Sequence, residues 1–493
     1  MKRSLHTLID GLQLEVVAGR PESVTVANIT FDSRRVVPGS LFVAIPGTRV
    51  DGHDFIGRAA SAGAVAVITE KEYAPEQQAE NEPVILRATN SAVMLGELAD
   101  RWYGAPSRQL KLVGVTGTNG KTTVTTLLYD LFTRLGYRAG LLSTVEIRIA
   151  GEVRPATHTT PDALAIQATL SEMRDARVDF VFMEVSSHAV HQHRIAGLHF
   201  AGGVFTNLSH DHLDYHGTFA NYLAAKKAFF DDLPERAFAL SNADDRRGAV
   251  MLQNCPARAY YYSLRSVVDF HARLVSNTPD GLQLHLNGTD VFFQMVGRFN
   301  AYNLLATYGA AILLGQREEE VLIQLSGLKG AAGRLELVAD PRNRRAYLVD
   351  YAHTPDALQN VLDTLRDMIP SDQQLLCVIG AGGDRDRGKR PQMAAIAARI
   401  ADRVILTTDN PRSENPDAIL DELEAGVPER YTNRVLRITD RREAIAAAVS
   451  ADFAVTLVAG KGHETYQEVK GRRLPFDDRE EILKALNPVN RAY

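Results

Sequence analysis

Leu112-Val113-Gly114-Val115-Thr116-Gly117-Thr118-Asn119-Gly120-Lys121-Thr122-Thr123 is the stretch from which the architecture can be read. An apolar run, Leu112 to Val115, ends in a glycine-rich turn, and the segment after it, Lys121 to Leu135, has the period and length of a helix. Glycines at such a turn let backbone amides approach phosphate oxygens. The helix that follows offers N–H groups with no intrahelical acceptor, at the positive end of its dipole. Lys121 can then reach the β- and γ-phosphates of ATP and Thr122 can hold Mg2+, with Gly117, Thr118, Asn119, Gly120 and Thr123 completing the phosphate-binding turn. Val115 occupies the place of the first glycine in the general G-x-x-x-x-G-K-[ST] pattern, with Gly114 and Gly117 on either side. A glycine turn that only packs a helix on a strand is the competing reading, but packing alone does not call for Gly-Lys-Thr-Thr at a helix start.

Working outward, strand Ala139 to Ser143, helix Asp162 to Met173 and strand Phe180 to Val185 follow. Strands alternating with helices of this length imply a parallel sheet covered on both faces, because parallel neighbours need long crossovers. Upstream, Val24 to Phe31, Leu41 to Ile45, a helical stretch near Ala59 and a strand at Ala64 to Thr69 make a small α/β domain. Tyr73 to Pro83 reads as a surface connection, and a helix with Leu95, Leu98 and Trp102 leads onward. Downstream, residues 250 to 295 read as antiparallel strands, such as Leu282 to Leu286 and Val291 to Met295, with Asn287-Gly288 as a hairpin turn; a helix from Asn303 to Leu314 comes next. After the hinge-like run Gly330-Ala331-Ala332-Gly333 the alternation restarts. It reads strand Ala346 to Asp350, helix Pro355 to Met368, strand Leu375 to Ile379, helix Pro391 to Ile400 and strand Val404 to Thr407, then helices near Ala418 and Ala444 and a strand at Val455 to Val458. The expected fold is α/β in three domains: a small α/β domain over 1–89, a central P-loop-type parallel-sheet domain over 90–332, and a C-terminal Rossmann-like α/β domain over 333–493.

The chain's 493 residues fit about three domains at roughly 150 residues each. A 45% apolar and 23% charged composition is that of a globular protein, which excludes disorder, collagen and coiled coil. Two cysteines, Cys255 and Cys377, provide neither a disulfide framework nor a cysteine zinc site, as in a reducing compartment. No run approaches the roughly 18 apolar residues of a membrane span, and Ser4, His6 and Asp10 interrupt any signal core. A cytoplasmic protein with no integral membrane segment is expected. The net charge of -5 argues against a nucleic-acid surface. His188, His191, His193, His210, His212 and His216 lack an H-E-x-x-H arrangement or a cysteine partner, so zinc is rejected and His191 and His193 are taken as loop residues.

Further segments sharpen the picture: Glu184-Val185-Ser186-Ser187-His188, Asn207-Leu208-Ser209 before Asp211-His212-Leu213-Asp214-Tyr215-His216-Gly217, and Tyr222-Leu223-Ala224-Ala225-Lys226. Gly297-Arg298-Phe299-Asn300 with Asn303, Gly333-Arg334, Asp350-Tyr351-Ala352-His353-Thr354-Pro355 and Asp409-Asn410-Pro411-Arg412 follow. Together with the phosphate loop, and in this order over essentially the whole chain, they resemble the Mur ligase family, which makes the cytoplasmic peptidoglycan precursor and has folylpolyglutamate synthetase as a cousin. The likeness is to the branch that adds the third peptide residue. It implies an ATP-dependent ligase that joins meso-diaminopimelate to the D-glutamate of UDP-MurNAc-L-Ala-D-Glu through an acyl phosphate, and a monomer is expected. An L-lysine-adding relative, a folylpolyglutamate synthetase and a non-catalytic ATP-binding module are the alternatives.

The resemblance also implies residue roles. Lys121, Glu184, His212 and Lys226 would be catalytic, and Thr122, Glu184, His212 and Lys226 would bind Mg2+, the last as a carbamate formed with CO₂. Glu184 and His212 follow strands, and strand C-termini are where open α/β sheets bind ligands. An exposed helical lysine is the ordinary reading of Lys226, which the Tyr-x-Ala-Ala-Lys match reverses; Lys227 would point elsewhere. Asn303, Arg334 and Asp350 match positions that contact ATP. Ser33, Thr48, Arg49 and Val50 lie in segments resembling the uridine-diphosphate pocket, although a turn is equally plausible there. Thr159, Thr160, Ser186, Gln192 and Arg194 match positions that hold the muramoyl dipeptide, as does His158, which stands where the family has asparagine. Arg385, Asp409, Asn410, Pro411, Arg412, Gly460 and Glu464 complete the diaminopimelate pocket. Arg412 would grip the distal carboxylate with two hydrogen bonds and Glu464 the distal ammonium.

Overall fold

The computed structural model describes residues 2–47, 50–72, 82–156, 158–209, 213–340, 343 and 345–487. They fall into two compact units, one up to Tyr261 and one from Tyr262.

In the first unit, one sheet has the strand order Leu14–Ala18, Val84–Ala88, Ala64–Thr69, Ser40–Val43, Asn28–Thr30. Only the Leu14–Ala18 pairing is antiparallel. Because side chains alternate along a strand, Leu41 and Val43 face Leu95, Leu98 and Trp102 of helix Ser91–Tyr103, while Phe42 faces Ile56 and Ala59 on the other side. The helix starts where Asn90 accepts from the Val93 amide and stops at left-handed Gly104. Most of the anticipated connection Tyr73 to Pro83 lies outside the described residues.

The second sheet of this unit positions the chemistry. Its order is Glu152–Pro155, Glu146–Ile149, Ala139–Leu142, Phe180–Glu184, Lys111–Thr116, Gly202–Phe205, Phe238–Asn242. Lys111–Thr116 is parallel to both neighbours, with Glu184 opposite Val115 and Phe205 opposite Thr116. Three strands therefore end together, and the chain leaves them side by side at Gly117, Val185 and Thr206. Helix Lys121–Arg134 covers one face, its Phe132 ring 4.4 Å from Phe180 and 5.1 Å from Phe182. Helix Phe219–Asp231 covers the other through Phe229 and Phe230, starting where the Thr218 hydroxyl accepts from the Asn221 amide.

In the second unit, strands Phe270–Thr278, Gly281–Leu286 and Thr289–Phe293 are antiparallel, and Asn287 and Gly288 have the φ of 46° and 84° that a primed hairpin turn requires. Helix Arg298–Leu313 begins ahead of Asn303, because the polar residues Arg298 and Asn300 of its first turn hide the apolar period. The C-terminal sheet runs Glu336–Asp340, Arg345–Asp350, Val455–Ala459, Leu375–Ala381, Arg403–Thr408, Val435–Arg437; only the first pairing is antiparallel. Parallel strands ending at Asp350, Ala381, Thr408 and Ala459 send four loops from one edge of the sheet, the edge where such sheets bind ligands. Among the described residues, no helix is long and apolar enough to cross a membrane.

Candidate functional site

The phosphate turn is built against the segment that leaves strand Gly202–Phe205. The Thr118 amide donates to the Asn207 carbonyl (2.8 Å) and the Asn119 amide to Asn207 Oδ1 (3.0 Å). Thr206 Oγ1 lies 2.6 Å from the Asn119 carbonyl and Thr118 Oγ1 lies 2.9 Å from the Tyr222 hydroxyl. Gly117 has a φ of 152°, and a Cβ there would stand 1.9 Å from Thr206 Oγ1, so only glycine fits. Gly120, also with positive φ, opens helix Lys121–Arg134, in which Thr122 and Thr123 are buried. Lys121 Nζ folds back onto the carbonyls of Gly117 and Thr118, both at 2.8 Å.

Lys226 reaches the same turn from a different helix. It is 1% exposed, and its Nζ donates to the Gly117 carbonyl at 2.9 Å and lies 4.9 Å from the centre of the Tyr222 ring. One carbonyl oxygen thus receives two ammonium groups, from residues 121 and 226. Lys227 points away, to Asp231 and the Gln253 carbonyl.

Glu184 is fully buried at its strand end. Its carboxylate accepts from the Thr144 amide (2.7 Å) and hydroxyl (3.1 Å), and the Thr144 hydroxyl also meets Thr159 Oγ1 at 3.1 Å. Thr160 Oγ1 donates to the Glu184 carbonyl and accepts from the Ser186 amide, while Arg194 donates to the Thr160 carbonyl and grips Gln192 Oε1 through two nitrogens. Glu184, Thr159, Thr160, Ser186, Gln192 and Arg194 are therefore one connected group. Burial holds the Arg194 guanidinium below its ordinary pKa. Thr144 escaped the sequence reading, since nothing in its own neighbourhood marks it as the partner of a glutamate 40 residues away. His158 is exposed. His191 ends the short helix Ser187–His191 rather than standing in a loop, and its Nδ1 lies 3.0 Å from the Tyr215 hydroxyl. His210 and His212 lie outside the described residues. Among the described residues no three His, Cys, Asp or Glu side chains cluster as a metal site.

On the first sheet's loops, Ser33 lies in the single turn Ser33–Arg35 and Val50 is 57% exposed; Thr48 and Arg49 lie outside the described residues. The following turn is pinned by His53, whose Nε2 accepts from the Glu70 amide, so that Nδ1 carries the proton donated to Asp51 at 2.5 Å. The Lys71 hydrogen bond, with that of His53, holds the Asp51 carboxyl well below the carboxylate range.

In the second unit, Asp350 accepts from the Leu335 and Ala352 amides (2.7 and 2.8 Å); burial raises its pKa and Arg334 opposes the rise. The Arg334 guanidinium lies 4.9 Å from the Tyr351 ring centre, and its buried Nε has no hydrogen-bond partner among the described residues. Asn303 is held within its helix by Asn300 at 2.9 Å. Gly333 has a positive φ, and a Cβ there would lie 2.1 Å from the Gly462 backbone, so Arg334 is carried against the Gly460–Glu464 loop.

That loop joins Asp409–Arg412. The Asn410 amide donates to Glu464 Oε2 at 2.7 Å; the Arg412 guanidinium donates to the Gly383 carbonyl at 2.6 Å, with Nε 3.7 Å from Glu468. A Cβ on Gly460 would meet Asp409 Oδ2 at 3.1 Å, while the Pro411 carbonyl abuts Gly383. Arg385 is exposed on the adjoining loop. Lys461, which the sequence reading passed over, is fully buried among Asn410, Glu464 and Tyr466.

Three family models match the chain: "Mur ligase family, catalytic domain" over residues 25–103, "Mur ligase middle domain" over 115–311 and "Mur ligase, glutamate ligase domain" over 333–462. The UDP-N-acetylmuramoyl-L-alanyl-D-glutamate–2,6-diaminopimelate ligase of Parabacteroides distasonis is 51% identical over 480 residues, covering 97% of this chain and 98% of that protein. The ligase of the same name from Bacillus velezensis is 41% identical over 501 residues, covering 99% of each. A solved structure of a UDP-N-acetylmuramoyl-L-alanyl-D-glutamate–2,6-diaminopimelate ligase superposes with a TM-score of 0.70 at 32% identity, over 100% of both chains. MurF from Thermotoga maritima in complex with ADP shares the fold, with a TM-score of 0.58 at 19% identity over 94% of this chain and 98% of that one.

Proposed function

The chain belongs to the Mur ligase family, and from that premise we propose that it joins meso-diaminopimelate to the D-glutamate of UDP-MurNAc-L-Ala-D-Glu at the expense of ATP, in peptidoglycan precursor synthesis. The observation that carries the reading is the convergence of Lys121 and Lys226, from two helices, on one carbonyl of the phosphate turn. Lys121 beside a turn of backbone amides forms a site for a polyphosphate, and Lys226 is brought to the same turn, where as a carbamate it would help hold the Mg2+ that accompanies the phosphates. The reaction needs such a site, because the substrate carboxylate must approach the anionic γ-phosphate.

A D-glutamate carboxylate oxygen attacks the γ-phosphorus and ADP leaves, giving the acyl phosphate. The diaminopimelate amine then attacks the acyl carbon, phosphate leaves and the nitrogen gives up a proton. Lys121 offsets charge on the transferred phosphoryl group. Glu184 and Thr122 are oxygen donors of the kind Mg2+ prefers, and with His212 and a carbamylated Lys226 they would hold it. Bound there, Mg2+ would neutralise phosphate charge. Carbamylation would also replace one of two mutually repelling ammonium groups with an anion, which supports it at Lys226. We assign Gly117, Thr118, Asn119, Gly120, Thr123, Asn303, Arg334 and Asp350 to ATP. Ser33, Thr48, Arg49, Val50, His158, Thr159, Thr160, Ser186, Gln192 and Arg194 take the UDP-muramoyl dipeptide. Arg385, Asp409, Asn410, Pro411, Arg412, Gly460 and Glu464 take diaminopimelate. A cytoplasmic monomer built as domains 1–89, 90–332 and 333–493 completes the proposal.

The test supplies ATP, the UDP-muramoyl dipeptide and either meso-diaminopimelate or L-lysine, and records phosphate release. Release that depends on diaminopimelate is expected. Equal or greater use of L-lysine would refute the substrate assignment.

A further inference from the structure

Lys461 has no part in the assignment above, yet it lies at the centre of the amino-acid loops with a side chain fully out of solvent. Burying an ammonium is costly unless its charge and its protons are matched. It has three protons to place. Nζ lies 2.6 Å from the Tyr466 carbonyl, 3.1 Å from Glu464 Oε2 and 3.2 Å from Asn410 Oδ1, so each proton has an acceptor. Asp409 Oδ1, buried and without a hydrogen bond among the described residues, stands 3.7 Å away.

Two consequences follow. Asn410 Oδ1 accepts from Lys461 and from the Glu468 amide (2.9 Å), which turns the Asn410 amide nitrogen toward Glu464. Both donors to Glu464 therefore land on Oε2, and Oε1 has no hydrogen-bond partner among the described residues. The second consequence is one of charge: Lys461 stands beside both Asp409 and Glu464, at 3.7 and 3.1 Å, and so offsets part of the negative charge they bring to the pocket, as Arg412 does for Glu468.

We propose that Lys461 is a positioning residue that sets specificity for a diamino acid: its ammonium clamps Glu464 by Oε2 and fixes Asn410, and so presents Oε1 to the substrate's distal ammonium. This rests on the diaminopimelate reading. A loop staple with no bearing on the substrate would show the same hydrogen bonds, so the experiment must separate the two.

Phosphate release is measured for the wild type and for Lys461→Met, varying ATP, the UDP-muramoyl dipeptide and meso-diaminopimelate in turn. Methionine keeps the stem and removes charge and donors. KM for diaminopimelate should rise by roughly 30-fold or more, the lower range for truncating a buried hydrogen-bonded charge, with the other two KM values within about twofold. Because Lys461 acts through Glu464, the same change on a Glu464→Gln background should add little. An unchanged KM for diaminopimelate, an equal rise for all three substrates, or full additivity with Glu464→Gln overturns the proposal. If Lys461→Met does not fold, Lys461→Arg carries the same test, since a planar guanidinium keeps the charge but cannot reproduce the three directions. A wild type that releases no phosphate with diaminopimelate defeats the underlying reading instead.

Discussion

Replacing Gly117 by alanine tests how the phosphate turn is held. The added Cβ stands 1.9 Å from Thr206 Oγ1 and 3.1 Å from both the amide nitrogen and the carbonyl oxygen of Asn207. Ordinary contact begins near 3.4 Å, so the hydroxyl must retreat by about 1.5 Å (3.4 − 1.9). That breaks its 2.6 Å bond to the Asn119 carbonyl. The backbone cannot give way instead, because the Asn207 carbonyl holds the Thr118 amide at 2.8 Å. Losing the Thr206 hydroxyl's bond, together with holding a side chain at a φ of 152°, costs about 1–3 kcal/mol. Expressed in the turn that binds nucleotide, this weakens ATP by roughly 5- to 150-fold. The measurement is titration with a fluorescent ATP analogue, together with KM for ATP. Thr206→Ala removes the offending hydroxyl, so the double variant should bind ATP better than the sum of the two single losses predicts. Binding within about twofold of wild type for Gly117→Ala, or strict additivity, would refute the reasoning.

His463 supplies a pH dependence. Burial, then the Arg334 and Lys461 cations, push its pKa down to about 4 from the ordinary 6.5, so the folded state keeps the ring neutral while the unfolded chain takes up a proton first. Its contribution to stability is complete above pH 6.5 and is lost as pH falls toward 4. Thermal melts should therefore fall more steeply on acidification for the wild type than for His463→Leu, and parallel curves would show that the site does not titrate this way. Lys226→Ala should abolish phosphate release in the complete reaction mixture. Retained turnover in that variant would remove the carbamate from the mechanism.

The sequence by itself determined what short-range rules decide. Gly-Lys-Thr-Thr after an apolar strand marked the phosphate turn, and helix Pro355–Met368 was legible end to end because Thr354 caps it and proline fits its first turn. Strand Leu14–Ala18 was not, since three of its five residues are exposed and it carries no apolar alternation. Tertiary structure alone decided which groups meet. Thr144 finds Glu184, and Lys226 finds Gly117, only because parallel strands with long crossovers end at one edge of a sheet. Lys461 is the sharpest case. A lysine between glycines reads as solvent-exposed, and nothing local reveals that Asn410, 51 residues earlier, lies beside it. A segment's own residues set its helix or strand, whereas burial and charge pairing depend on what distant segments bring, and that is a property of the folded chain.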